Sequence, residues 1–412
     1  MQTELAGWIR DTPEGIEANA ILRKCVHCGF CNATCPTYQL LGDELDGPRG
    51  RIYLIKQVLE GAAPTEKTQL HLDRCLTCRA CETTCPSGVE YGRLLDIGRG
   101  LVEAKVGRSV WASVERRALS AVLPRSWLFA PLVAQGRLSK SFLPQAVAAK
   151  VPVAPAPAGV WPAARHARRM LVLAGCVQGS LAPRINAAAA RVLDRAGISL
   201  IQAPGAGCCG ALRYHLNQQE NGLDDMRALV DAWWPLVLGG IEAIVMTASG
   251  CGVTVKEYGH YLARDPAYAK KAARIGELCR DIAEIVAAEL ERPGMLPAAS
   301  GAPADKVAFH APCSLQHGQK IRGVAEAVLR AAGIELTAVP DAHLCCGSAG
   351  TYSILQPELS GRLRANKLAA LASGGPRRIL TANIGCLSHL AEASQVPVEH
   401  WIETLERRMA LP

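Results

Sequence analysis

Apolar positions in the first hundred residues recur at the three-to-four-residue spacing that is typical of helices. The clearest stretch begins at Pro48, which suits the first turn of a helix, and ends at Gly61. Two shorter helices are predicted directly before cysteine-rich loops, over 18–23 and through Leu70 and Leu72. The apolar face of the main helix consists of Ile52, Ile55, Val58 and Leu59. The N-terminal region is therefore predicted to be helical.

Beyond residue 168 the pattern changes to short apolar runs that alternate with amphipathic stretches, which predicts strands alternating with helices. One order of features occurs twice: a strand ending near a cysteine, a helix closing at Ala-Gly-Ile, the triplet Cys-Cys-Gly, and a later strand with a cysteine. Cys176 and Cys313 are 137 positions apart, and Cys251 and Cys386 are 135 apart. This matching order indicates an internally duplicated α/β unit with parallel sheets.

Two cysteine runs in the helical region both read C-x2-C-x2-C-x3-C-P, the thiolate spacing of cubane iron–sulfur clusters. In such pairs of runs, three cysteines bind one cluster and the fourth binds the cluster of the other run. Zinc also binds C-x2-C pairs, but two four-cysteine runs ending in proline favour two [4Fe-4S] clusters. The expected ligands are Cys25, Cys28, Cys31 and Cys85 for one cluster, and Cys75, Cys78, Cys81 and Cys35 for the other.

Each α/β repeat contains four more cysteines, at strand ends where sites in α/β folds gather. Gly210 and Gly347 are predicted to let the backbone pass close to whatever the paired thiols hold. Chance burial would explain one such set, but two matched sets indicate a metal or third cluster in at least one repeat. Cys279, on a helix predicted over 275–288, is expected in the core. The candidate ligands are Cys176, Cys208, Cys209, Cys251, Cys313, Cys345, Cys346 and Cys386.

Length and composition favour a globular protein of the cytoplasm. A chain of 412 residues is long enough for two or three domains, and its 20% charged and 49% hydrophobic residues are typical of globular proteins. The N-terminus has no basic segment followed by an apolar one, and clusters need reduced thiolates, so a cytoplasmic location is expected despite the 17 cysteines. No apolar run approaches the length of a membrane-spanning helix.

The net charge of +8 is distributed unevenly. No Asp or Glu occurs from Arg116 to Leu193, and the apolar residues between the cations include Trp127, Phe129 and Phe142. This favours docking to the inner face of a membrane or to an acidic partner, with a solvated linker as the alternative. Nucleic acid is not an expected partner. Nine cations lie between positions 116 and 169, namely Arg116, Arg117, Arg125, Arg137, Lys140, Lys150, Arg165, Arg168 and Arg169.

Both parts of the chain resemble known modules. The long helical spacer between the cysteine runs resembles the α-helical ferredoxin module of succinate dehydrogenase-type iron–sulfur subunits. The repeats resemble the CCG domain of heterodisulfide reductase B subunits, whose full motif ends in C-x2-C and can hold a non-cubane cluster. Here Thr254 and His389 stand in place of the last cysteine, which argues against disulfide reduction.

The predicted fold class is thus an α-helical ferredoxin domain followed by a duplicated α/β domain of the CCG type. The expected boundaries are a two-cluster ferredoxin domain over 1–110, a basic, Pro- and Ala-rich linker over 111–167, and CCG repeats over 168–290 and 305–412.

Segments 27–54, 231–235, 247–252, 343–352 and 381–386 are very similar to those of glycolate oxidase (glycolate dehydrogenase) iron–sulfur subunits, and the resemblance to this family covers nearly the whole chain. The resemblance implies FAD-binding partner subunits that oxidise glycolate to glyoxylate, with electrons passing through the clusters to a quinone or another acceptor. No dinucleotide-binding or P-loop motif is present in the sequence, so the chain is expected to have no substrate-oxidising site of its own.

Alternatives from the same architecture remain open. D-lactate and glycerol-3-phosphate dehydrogenase systems use similar subunits, and spacing alone does not separate them. A heterodisulfide reductase-like enzyme, or a scaffold subunit with purely structural clusters, would also carry these motifs.

Overall fold

A computed structural model describes residues 1–142, 152–290 and 306–409 of the chain. Lys150 of the basic segment and residue 305, the expected start of the second repeat, lie outside the described residues. The chain divides into two compact units. Unit 1 consists of Met1–Glu115, Ala311–Lys320 and Pro340–Ala370, and unit 2 consists of Arg116–His310, Ile321–Val339 and Leu371–Pro412.

Unit 1 is helical in its N-terminal part, as the sequence predicts. Helix Tyr91–Val106 packs against helices Pro13–Lys24, Pro48–Leu59 and Glu66–Asp73. Gly98 permits the close approach, since a Cβ there would lie 2.6 Å from Cγ1 of Ile55. The other helices of this part are Gly7–Arg10, Phe30–Ala33, Pro36–Leu41 and Ala80–Thr84, with a 3-10 turn at Glu44–Asp46.

The later segments of unit 1 come from the second repeat. They contain a π-helical turn at Ser314–Gly318, helix Tyr352–Leu355 and most of helix Pro357–Ala372. An apolar cluster joins the two parts of the unit, because Leu76 of the second cysteine run packs with Tyr352. Unit 1 is therefore a helical module completed by loops from far along the chain.

Unit 2 contains two four-stranded parallel sheets with the same topology, ordered β2-β1-β3-β4 and β6-β5-β7-β8. This equivalence confirms the duplicated α/β unit. The strands are β1 Arg168–Val172, β2 Ile198–Ile201, β3 Ile244–Met246, β4 Cys279–Asp281, β5 Lys306–His310, β6 Glu335–Leu336, β7 Arg378–Thr381 and β8 Val398–His400.

Helices connect the strands and join the two sheets of unit 2. Helix Arg184–Arg195 of the first repeat packs against helix Trp401–Met409 of the second. An ion pair between Arg191 and Glu406, at 2.5 Å, adds to this contact. The remaining helices of the repeats are Gln178–Leu181, Ala211–His215, Gln219–Leu238, Ser249–Lys256, Tyr258–Tyr261, Ala269–Leu278, Ile282–Leu290, Val324–Ala331 and Ile384–Ala391.

Two expectations differ from the structure. Cys279 is buried as predicted, but it lies on strand β4 between two helices and not on a helix over 275–288. Pairing of Cys279 with Ile244 of β3 satisfies the backbone there, and Asp281 then accepts a hydrogen bond from the amide of Ala283 at 3.0 Å. The segment expected to be a linker contains helices Val110–Val122 and Ser126–Leu138.

Candidate iron–sulfur centres

The first cysteine run, which follows helix Pro13–Lys24 and leads into helix Phe30–Ala33, folds around a cavity of unit 1. Two residues of the run, His27 and Gly29, have left-handed backbone conformations, with φ of 61° and 85°. These conformations turn the loop tightly enough to point several thiols inward. The cysteines that line the cavity are Cys25, Cys28, Cys31, Cys81 and Cys85.

The second run repeats this geometry 50 positions later. Thr77 and Arg79 take the places of His27 and Gly29, with φ of 53° and 61°, although neither is a glycine. Left-handed conformations at non-glycine residues are costly and cluster at functional loops. The cysteines that line the second cavity are Cys35, Cys75, Cys78 and Cys81.

The chemistry of each thiol set fits a cubane cluster, because each cavity is lined by three cysteines of one run together with cysteines of the other: Cys81 and Cys85 at the first cavity, and Cys35 at the second. Burial and the neighbouring Cys25 raise the pKa of Cys31 to about 11. Burial likewise raises the pKa values of Cys78 and Cys81 well above the ordinary thiol range. At these three residues the thiol form is therefore favoured, and binding of iron must displace its proton.

A buried polar network lies behind the second cavity. Asp46 is fully buried and contacts Arg51 at 3.4 Å, Arg74 at 2.8 Å and Nδ1 of His71 at 3.1 Å. The guanidinium of Arg51 also donates to the hydroxyl of Thr37 at 3.2 Å, and this hydroxyl lies 3.3 Å from Sγ of Cys35. A positive charge is therefore held within the wall of the second site.

The second site also receives hydrogen bonds at a thiol. The hydroxyl of Tyr91 donates to Sγ of Cys75 at 3.6 Å, and the amide of Thr77 donates to the same sulfur at 3.4 Å. Hydrogen bonds to ligating sulfurs are among the features that set cluster potentials. None of these partners was identified from the sequence, since no spacing rule marks them.

In the first α/β repeat, unit 2 brings the four candidate cysteines together. Hydrogen bonds from Cys176 and Cys209 lower the pKa of Cys208 well below its usual value. Cys209 is hydrogen-bonded in turn to Cys251, which completes a connected set of four sulfurs. Arg213 lies close enough to favour the Cys208 thiolate, and it forms an ion pair with Asp225 at 2.8 Å. This arrangement can hold a metal ion or a cluster.

In the second repeat, three of the four candidates share unit 1. Sγ of Cys313 lies 3.8 Å from Sγ of Cys345, and Cys345 is also hydrogen-bonded to the fully buried Cys346. Cys386 belongs to unit 2, where it is buried on helix Ile384–Ala391 and accepts a hydrogen bond from Nδ2 of Asn383 at 3.6 Å.

The second cysteine run and the second repeat are neighbours within unit 1. Cys78 and Cys313 pack in the apolar cluster that also contains Leu76 and Cys345. Thr83, in the same cysteine run, hydrogen-bonds to Nδ1 of His317 at 3.1 Å. The sequence offered no signal for this neighbourhood, because 234 positions separate Thr83 from His317.

The two glycines of the Cys-Cys-Gly triplets are in close contact with backbone atoms of the protein. Both are left-handed, and a Cβ at Gly210 would lie 2.5 Å from the carbonyl oxygen of Gly222. At Gly347 it would lie 2.7 Å from the carbonyl oxygen of Ser360. These glycines are therefore required by close packing against helices Gln219–Leu238 and Pro357–Ala372, respectively.

Comparison with known proteins identifies both regions. Residues 21–89 match the 4Fe-4S dicluster domain, and residues 170–256 and 307–391 match the cysteine-rich domain of the CCG type. The chain is 56% identical over 409 residues to the glycolate oxidase iron-sulfur subunit of Escherichia coli strain K12, covering 99% of each chain. The chain belongs to the family of glycolate oxidase iron–sulfur subunits.

More distant similarities agree with this family. The probable glycolate oxidase iron-sulfur subunit of Bacillus subtilis strain 168 is 29% identical, over 89% of this chain and 87% of the relative. Lactate utilization protein A of Bacillus licheniformis is 24% identical over 57% of this chain and 97% of its own length. As a member of the glycolate oxidase iron–sulfur family, the chain carries iron–sulfur clusters.

The two residues that replace the final cysteine of each CCG motif are buried. Thr254 and His389 lie one helical turn beyond Cys251 and Cys386, respectively. Among the described residues, no helix has both the length and the apolar character required to cross a membrane.

Proposed function

We propose that this chain is the electron-transfer subunit of a flavin-dependent glycolate oxidase. A partner FAD subunit oxidises glycolate to glyoxylate, which releases two electrons and two protons, and the clusters of this chain accept the electrons one at a time. The chain passes them on to a quinone or another acceptor. The observation that carries this proposal is the 56% identity over the full length, together with two cysteine-lined cavities in one unit.

The proposed ligands follow the cavity walls. The first [4Fe-4S] cluster is bound by Cys25, Cys28, Cys31 and Cys85, and the second by Cys75, Cys78, Cys81 and Cys35. The third centre proposed is a metal or cluster held by the cysteines of a CCG repeat. The first repeat supports it with four connected sulfurs, namely Cys176, Cys208, Cys209 and Cys251.

The order of transfer has structural support within unit 1. Cys78, a proposed ligand of the second cluster, packs beside Cys313 and Cys345 of the second CCG repeat. The second cluster would therefore lie between the first cluster and the CCG cysteines. Disulfide reduction is not part of the proposal, since Thr254 and His389 replace the final cysteine of each motif.

The experiment is substrate-dependent reduction of the native complex. The chain is purified with its associated subunits and mixed anaerobically with glycolate, D-lactate or glycerol 3-phosphate. We expect glycolate to produce the EPR signal of reduced [4Fe-4S] clusters within one turnover of the flavin, and the other two substrates to be markedly slower. Faster reduction by D-lactate or glycerol 3-phosphate would overturn the assignment of substrate.

Peripheral attachment to the membrane is the second part of the proposal. Helices Val110–Val122 and Ser126–Leu138 expose large apolar side chains beside cations. Trp127 is 73% exposed and Phe142 is 88% exposed. Aromatic residues next to arginines favour the interface of an anionic membrane. Such attachment would bring the subunit close to a quinone.

A further inference from the structure

The two cysteine runs have the same loop geometry but different surroundings. Val26 and Phe30 of the first run are 68% and 61% exposed, although both line the cavity of the first site. The equivalent residues of the second run, 50 positions later, are Leu76 and Ala80, which are 5% and 1% exposed. The internal symmetry of the module therefore identifies an apolar face that is covered in one run and uncovered in the other.

The cover of the second run is known from the structure. Leu76 packs with Tyr352, Leu359 and Leu363, which come from the second CCG repeat, and Cys78 packs beside Cys313. The second loop thus meets, on this face, the part of the protein that carries the next group of cysteines. Because the first loop has the same geometry, its uncovered face is the equivalent place for a redox partner to bind, and that partner must come from outside this chain.

The first loop presents a ligand at this face. Cys28, the counterpart of Cys78, is exposed, whereas Cys25 is buried. Tyr53 is 45% exposed, and its ring centre lies 6.1 Å from that of His27. Exposed apolar groups that surround a cluster ligand favour a protein interface, since they exclude water from the contact.

Charges at the edge of this face are paired. Arg49 contacts Glu44 at 2.6 Å, and Glu90 contacts both Lys24 at 2.7 Å and Arg93 at 2.9 Å. Because these opposite charges largely cancel at a distance, the face attracts charged partners only weakly over long range. Recognition here therefore depends on apolar contact and shape, in contrast to the basic segment.

We propose that the face formed by Val26, Cys28, Phe30 and Tyr53 is the docking surface of the flavin-carrying donor subunit, and that electrons enter this chain at the first cluster. The inference rests on the proposed function, because it requires a flavin partner. One electron at a time leaves the reduced flavin and reduces the first cluster, while the flavin releases its protons to solvent. No bond to Cys28 forms or breaks.

The test uses the full-length chain with Val26→Ser and Phe30→Ser combined, mixed with the separately purified donor subunits and glycolate. Iron content and the EPR spectrum after dithionite reduction should match the wild type, which shows that both clusters are intact. Reduction by glycolate through the donor subunits should slow by about tenfold or more, the scale of losing apolar anchors at an interface. The rate should change little between low and high salt.

A matched control is Leu238→Ser with Val160→Ser, two exposed apolar residues of unit 2, and it should be reduced at the wild-type rate. Wild-type rates in the Val26/Phe30 variant would overturn the docking surface and leave the proposed function standing. If glycolate and the donor subunits fail to reduce the wild-type clusters, the proposed function fails and the docking surface fails with it.

Discussion

At the scale of single residues, the two candidate cluster sites differ most in their charges. Arg51 is 1% exposed and lines the second cavity. It shares the single carboxylate of Asp46 with Arg74, so two guanidinium groups face one acid. At the first site, Arg49 is paired with Glu44 alone. The second cluster is therefore expected to sit in the more positive surroundings.

Replacement of Arg51 by Met should lower the reduction potential of the second cluster, because the added electron loses a nearby positive charge. A loss of about 60 mV, equivalent to about 1.4 kcal/mol for one electron, is expected from one charge at short range in a protein interior. EPR-monitored redox titration of the purified protein measures this value for each cluster separately.

Two variants serve as controls for this prediction. Arg51→Lys keeps the charge and should recover most of the lost potential, even though its hydrogen bonds differ from those of Arg51. Arg49→Met removes a cation at the first site and should leave the second potential unchanged. An unaltered second potential in Arg51→Met would show that the charge does not act on the cluster.

Exchange of the fourth ligands between runs gives a second prediction at this scale. Cys35→Ser should damage the second cluster, for which Cys75, Cys78 and Cys81 are the other proposed ligands, since Cys35 lines the same cavity. Cys85→Ser should instead damage the first cluster. Iron analysis and low-temperature EPR of both variants provide the measurement, and a loss confined to the first cluster in Cys35→Ser would contradict the crossing.

The predictable part of these sites is the part that local spacing determines. Three thiols at intervals of three residues must share one side of a tight loop, so the sequence alone indicated the cysteine runs. Arg51, Tyr91 and His317 could not be identified in this way. Their positions next to the cysteines depend on contacts between segments that are distant in the sequence, and no periodic pattern in the sequence predicts such contacts.

At the scale of elements, strand β8 shows how one buried group holds the sheets of unit 2 together. Nδ1 of His400 accepts a hydrogen bond from the amide of Ile402 at 3.3 Å, so Nε2 carries the proton and donates to the carbonyl oxygen of Thr247 at 2.9 Å. Burial lowers the pKa of His400 to about 4. The ring is therefore neutral in the folded protein at physiological pH.

This burial predicts a pH dependence of stability. Below pH 6.5 the unfolded chain gains a proton at His400 that the folded chain does not, because burial lowers the pKa of this ring in the folded protein. The stability that the neutral ring contributes is therefore fully present above pH 6.5 and is lost as the pH falls towards 4. When the pH is lowered from 8 to 5.5, the free energy of unfolding of the wild type should fall by about 1.4 kcal/mol more than that of His400→Gln. Chemical denaturation at both pH values measures the difference, and equal losses in the two proteins would contradict it.

The order of elements was predictable, but some boundaries were not. Strands and helices alternate as the apolar pattern indicates, and both repeats gave the same topology. The prediction of one helix over 275–288 is wrong at Cys279, where strand β4 separates helix Ala269–Leu278 from helix Ile282–Leu290. A three-residue edge strand is too short to produce a period of its own, and its pairing with β3 decides the structure.

At the scale of the whole molecule, the basic segment should control attachment to membranes. Arg117, Arg125 and Lys140 are exposed, whereas Arg137 donates hydrogen bonds to backbone carbonyls, including that of Pro152. Changing the three exposed cations to Gln should weaken binding to vesicles that contain an anionic lipid by about a hundredfold, at about 1 kcal/mol for each cation. Cosedimentation with such vesicles measures the loss.

The matched control for the membrane prediction changes three exposed cations elsewhere in unit 2 to Gln, namely Lys270, Arg274 and Arg280. This variant should bind vesicles as the wild type does. Binding should also fall with rising salt, because the Debye length is only about 8 Å at physiological ionic strength. Equal weakening in both variants would indicate a general effect of net charge and would contradict a role for the segment.

Unit 1 is assembled from segments that lie far apart along the chain, and this has a consequence for biosynthesis. Its first segment ends at Glu115, and the loops that cover Leu76 begin only at Ala311 and Pro340. A chain that leaves the ribosome from its N-terminus therefore presents the second cysteine run long before its cover has been made. This interval gives the cluster-assembly machinery open access to Cys75, Cys78 and Cys81. Synthesis of the final hundred residues then closes the site, so truncation of the C-terminus would leave a cluster exposed to oxidation.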